Sequence, residues 1–146
     1  MVLTPKLNQI LLIDDSFDDN YLHQRLLEQM DIAEKIAVAY DGQEALAYLS
    51  GTGNFSEQEP LHPQPDLIFL DINMPRMNGW EFLKFYRELP EDERGGVVIV
   101  MLTTSLNPDD RSKAKELDLI STFLPKPLTK EMVEKVLQEN FSERLQ

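Results

Sequence analysis

The chain contains no cysteine, only two histidines, His23 and His62, and 14 basic residues against 26 acidic ones. The missing cysteine excludes disulfides, thiol nucleophiles and cysteine-ligated zinc or iron–sulfur sites together. Two histidines cannot build a histidine metal cage. A formal charge of -12 repels phosphate backbones and anionic membrane surfaces, so neither nucleic acid nor membrane is expected as a partner. Also lacking are a charged-then-apolar leader in the opening "MVLTPKLNQ" and any apolar run near the roughly 20 residues that cross a bilayer. These absences predict a soluble, cytoplasmic protein. Its 146 residues are read as one domain, 1–146, long enough to bury a core without metal or disulfide staples.

What the chain does have is a series of short apolar runs: "QILLI" (9–13), "KIAVAY" (35–40), "LIFL" (67–70), "VVIVML" (97–102) and a weaker "STFL" (121–124). Several are nearly continuous, which suits parallel strands covered on both faces. Between them lie helical periods at Leu22, Leu26, Leu27 and Met30; at Ala45, Leu46 and Leu49; at Phe82, Tyr86 and Leu89; and at Val133, Val136, Leu137 and Phe141. Strand and helix alternate, which predicts right-handed βαβ units and an open doubly wound five-stranded parallel sheet in an α/β fold.

Punctuation agrees with that order. Ser16 followed by Asp19 reads as a capping box, Asp41-Gly42 as a turn into the second helix, and Asn107-Pro108 as a cap before a first-turn proline. Between Pro108 and Leu117 only Ala114 and Leu117 offer an apolar stripe, so a weakly anchored, mobile fourth helix is expected. The stretch 50–65 has no period and carries three prolines, and is read as a long surface loop.

In such a sheet, ligands bind beyond the carboxyl ends of the strands. The residues there form a set: Asp14 and Asp15 after the first strand, Asp71 after "LIFL", Thr103 and Thr104 after the fourth strand, and Lys126 after "FLP". Three carboxylates in one cleft raise each other's pKa unless a cation offsets them. Lys126 is one such cation, and a hard divalent ion such as Mg²⁺, which takes few carboxylates and completes its shell with phosphate oxygens, is another. Acids, a metal, a hydroxyl and an ammonium make a site for a phosphoryl group, with Asp71 as the nucleophile, Thr103 as a donor and Lys126 as a charge partner.

At this point "LLIDD", "DGQEAL", "PDLIFLDINMPRMNG", "MLTT" and "FLPKPL" together make the chain similar to the receiver domain of two-component response regulators, of the single-domain, chemotaxis-type kind. The resemblance implies a (βα)5 flavodoxin-like receiver fold and an Asp71 that takes a phosphoryl group from a sensor histidine kinase. It implies Mg²⁺ held by Asp14, Asp15, Asp71 and the Asn73 backbone carbonyl, and Lys126 paired with phosphorylated Asp71. It implies a switch in which Thr103 and Phe123 remodel the face of helix four, strand five and helix five, and a cis Lys126-Pro127 peptide. A downstream protein target follows, a homodimer through that face is left open, and no DNA-binding output domain is expected. The protein is then not a conventional enzyme but catalyses its own Mg-dependent phosphorylation and slow dephosphorylation.

The chain departs from the family pattern in places. Phe123 stands where a Tyr is common, Thr104 is bulkier than usual, and the long 50–65 loop resembles the small regulators associated with phytochrome-type kinases. One alternative is a phosphohydrolase of the haloacid dehalogenase type, but that family wants a second Asp where this chain has Asn73. A pseudo-receiver that binds partners without phosphorylation is the other. His23 is read as a solvated surface residue and given no role.

Overall fold

In the computed structural model residues 2–50, 64–90, 97–104 and 108–145 are described. Among the described residues five strands and five helices alternate: β1 (Leu7–Ile13), α1 (Phe17–Met30), β2 (Ala33–Ala39), α2 (Gly42–Ser50), β3 (Leu67–Asp71), α3 (Gly79–Arg87), β4 (Val98–Thr103), α4 (Pro108–Leu117), β5 (Ile120–Pro125) and α5 (Lys130–Asn140). A short 3₁₀ turn, Ser142–Arg144, follows. All strand pairings are parallel, in the order β2-β1-β3-β4-β5.

The continuous apolar runs form the three inner strands because successive side chains point to opposite faces and both faces are covered. Leu11, Ile13, Ile68, Leu70, Ile99 and Met101 meet α2 and α3 through Leu49, Phe82, Leu83 and Tyr86. The alternate residues of the same strands, Ile10, Leu12, Leu67, Phe69, Val100 and Leu102, meet α1 and α5 through Leu27, Val133, Val136 and Leu137. Each fully buried Leu, Ile or Phe contributes about 1.5–3 kcal/mol of transfer free energy. The weaker run is the edge strand β5, which is only partly buried along its length.

Three local readings change. Of the expected α1 stripe, Leu27 is buried and Leu26 and Met30 pack partly against the core, but Leu22 is 57% exposed, while Asn20 and His23 are buried. The expectation of a solvated His23 is therefore overturned, because the first turns of α1 lie over the charged strand ends, where polar side chains find partners. Ser16 does cap α1, its Oγ accepting from the Asp19 amide at 3.2 Å, while the Asp19 carboxylate accepts a hydrogen bond from Lys126. The fourth helix α4 is apolar-poor as expected, yet Asp110 is 7% exposed and accepts a hydrogen bond from the Trp80 indole Nε1 at 3.2 Å. The Asn107 cap and positions 51–63 of the long loop lie outside the described residues. Among the described residues no helix is long and apolar enough to cross a membrane.

Candidate functional site

The chain leaves β1 for β2 on one side, and β3 returns on the other side of β1, so the crevice opens at the carboxyl ends of β1 and β3. Asp14 follows β1 and Asp71 ends β3. Asp14, Asp15 and Asp71 each place a carboxylate oxygen within 4.8 Å of the others, with Asp14 and Asp71 buried and Asp15 exposed at the rim. The loop between β3 and α3 is held close: the Gly79 amide donates to the Ile72 carbonyl at 2.8 Å, and a Cβ on Gly79 would come within 2.7 Å of the Asp71 carbonyl oxygen. Only glycine permits that approach of helix to strand. Asn78 and Glu81 close a reciprocal capping box at the same helix start.

Lys126 reaches into the cluster from the loop after β5. Its Nζ lies 2.7 Å from Asp14 Oδ2, 3.1 Å from Asp71 Oδ1 and 3.0 Å from Asp19 Oδ2. Its backbone amide donates to the Thr103 carbonyl at 3.1 Å, and the Lys126-Pro127 peptide is cis. Thr103 is buried at the end of β4, one register step beyond the Asp71–Leu102 pair. Asn73 is exposed on the loop after β3. Phe123 does not join the charged groups; its ring meets Trp80 at 6.1 Å, among the apolar side chains under α3.

Burial, and then the Asp14 charge, push the Asp71 carboxyl up to about 6 against the opposing pull of Lys126. Burial pulls the Lys126 ammonium down, but hydrogen bonds from its Nζ to Asp14 and Asp19 and the nearby charges outweigh it and raise its pKa. One ammonium thus faces Asp14, Asp15, Asp19 and Asp71, and the cleft keeps a surplus of negative charge next to a buried carboxyl.

Three participants escaped the sequence reading. Asp19 ion-pairs with Lys126, Asn20 Nδ2 donates to the Asp14 carbonyl at 2.8 Å, and His23 Nε2 accepts from the Leu128 amide at 3.2 Å. With the Ser16 cap these positions run i, i+3, i+4, i+7, so one face of α1 is a polar stripe against the charged loops. The signal was present in the sequence, but a search for apolar periodicity passes over it.

The chain as a whole is similar to known proteins. Over 117 residues the chain is 35% identical to response regulator Rcp1 of Synechocystis sp., covering 80% of this chain and 75% of the relative. It is similar to the bacteriophytochrome response regulator AtBRR at 32% identity and a TM-score of 0.77, each chain covered to 94%. It is similar to the Mn(2+)-bound form of response regulator Rcp1 at 31% identity and a TM-score of 0.72, covering 95% of this chain and 97% of that one. The response regulator receiver domain model matches residues 10–138, which span every strand end described above, and the chain therefore belongs to the response regulator receiver domain family.

Proposed function

We propose that Asp71 is the phosphoacceptor of this receiver domain, taking its phosphoryl group from the phosphohistidine of a sensor kinase. The observation that carries the reading is the burial of one ionisable carboxyl between an acidic pair and a single ammonium at a strand end. The Asp71 oxygen attacks phosphorus, and the leaving nitrogen departs with the bonding pair. Lys126 is placed to offset the charge that gathers on the phosphoryl oxygens, and Thr103, at the adjacent strand end, to donate to one of them.

The donor set fits a hard divalent cation: all oxygen, clustered within 4.8 Å, and more negative than Lys126 alone can balance. Mg²⁺ would be held by Asp14, Asp15, Asp71 and the Asn73 carbonyl, and when bound it supplies a Lewis acid that screens the acceptor from the incoming phosphate. A solved relative is described as Mn(2+)-bound, in keeping with this assignment. Thr103 and Phe123 then act as the switch toward the α4–β5–α5 face and a downstream protein. The chain is a single receiver unit that turns over its own phosphoryl group slowly.

Incubation with acetyl phosphate and Mg²⁺, followed by intact-mass measurement, tests this. One phosphoryl group per chain is expected, absent in Asp71→Asn and in EDTA. An adduct that survives Asp71→Asn, or none in the wild type, would overturn the assignment.

A further inference from the structure

We infer that His23 is a positioning residue for Lys126: its buried Nε2 holds the backbone of Leu128, two residues on, and so fixes where the Lys126 ammonium lies in the acidic cleft. The inference rests on the reading of Lys126 as the charge partner of Asp71. The span from Lys126 to Leu128 is tied from two elements. Strand β4 takes the Lys126 amide at the Thr103 carbonyl at 3.1 Å, and α1 takes the Leu128 amide at His23 Nε2 at 3.2 Å. The ammonium is then aimed by Asp14, Asp71 and Asp19.

Two of these restraints, Asp19 and His23, stand at i and i+4 on the same face of α1, and Asn20 beside them holds the Asp14 carbonyl at 2.8 Å. One helix face thus sets both the acid that follows β1 and the base that follows β5. Histidine is suited to the position because the buried Leu128 amide needs an acceptor and an apolar side chain offers none. Burial lowers the His23 pKa against the charges of Asp19 and Asp14, with Lys126 acting in the same direction as burial. The imidazole is therefore neutral near pH 7, with its proton on Nδ1 and its Nε2 lone pair free to accept.

In the unmodified protein, NMR should show a scalar coupling between the Leu128 amide nitrogen and His23 Nε2; its absence would overturn the inference before any variant is made. His23→Leu removes the acceptor, His23→Gln keeps one, and Val136→Ala in the α5 core lowers stability away from the cleft. Acylation of the Lys126 amine by acetic anhydride, read by peptide mass spectrometry, should quicken roughly tenfold in His23→Leu and return toward wild type in His23→Gln. It should not change in Val136→Ala. Adduct formation with acetyl phosphate should slow in the same order. Equal changes in the leucine and Val136→Ala proteins, or no recovery with glutamine, would reduce His23 to a packing residue. A wild type that forms no adduct at all would instead remove the phosphoacceptor reading, while the amine reactivities still decide whether His23 places Lys126.

Discussion

Asp71 is held in a protonation state that its surroundings oppose. Its carboxyl, raised from 3.8 to about 6 by burial and by Asp14, binds a proton more tightly folded than unfolded. That contribution to stability is complete below pH 3.8 and is lost as pH rises through about 6. An Asn at position 71 cannot ionise. Asp71→Asn is therefore expected to be more stable than wild type by about 1–2 kcal/mol at pH 8, with the difference vanishing near pH 3.5. Thermal melts at the two pH values in a chelator check this, and equal melting at pH 8 would mean that Lys126 fully compensates the charge. At this scale the sequence was legible for Asp14, Asp15, Asp71, Thr103 and Lys126, because each ends an apolar run. Asp19, Asn20 and His23 stood at helical spacing in the sequence, but their roles depend on which face of α1 turns inward.

Among the elements, α4 shows how a helix with little apolar surface is held. Ala114 packs partly against the core, Asp110 takes the Trp80 indole, and Lys113 Nζ lies 5.7 Å from the centre of the same ring. Trp80 also meets Phe123 in β5, so one side chain of α3 touches two of the three elements, α4 and β5, of the face proposed for switching. Trp80→Phe keeps an aromatic ring and loses the donor. It is expected to cost about 1 kcal/mol and to speed amide exchange in α4 while leaving β1 and β3 protected. Faster exchange across all strands would instead show that Trp80 supports the whole core. The fourth helix was legible as weakly packed because apolar spacing is local information. Its polar tie to Trp80, 30 residues away in the chain, was not.

For the whole molecule, a ligand that binds only the folded chain raises its stability by mass action. Mg²⁺ at 10–100 times its dissociation constant is expected to add about 1.4–2.7 kcal/mol, which is roughly 3–10 °C in melting temperature for a chain of this size. EDTA should abolish the gain, and unchanged melting at millimolar Mg²⁺ would count against the cation site. The alternation of runs, the parallel sheet and the carboxylate at the end of "LIFL" were determined by the sequence alone, since strand periodicity and turn chemistry act over a few residues. The inward polar face of α1, the burial of His23 and the three-way aim of Lys126 were decided by the tertiary structure. Those contacts join residues up to 107 positions apart, and their energies come from burial and charge, which exist only once the strands have brought the loops together.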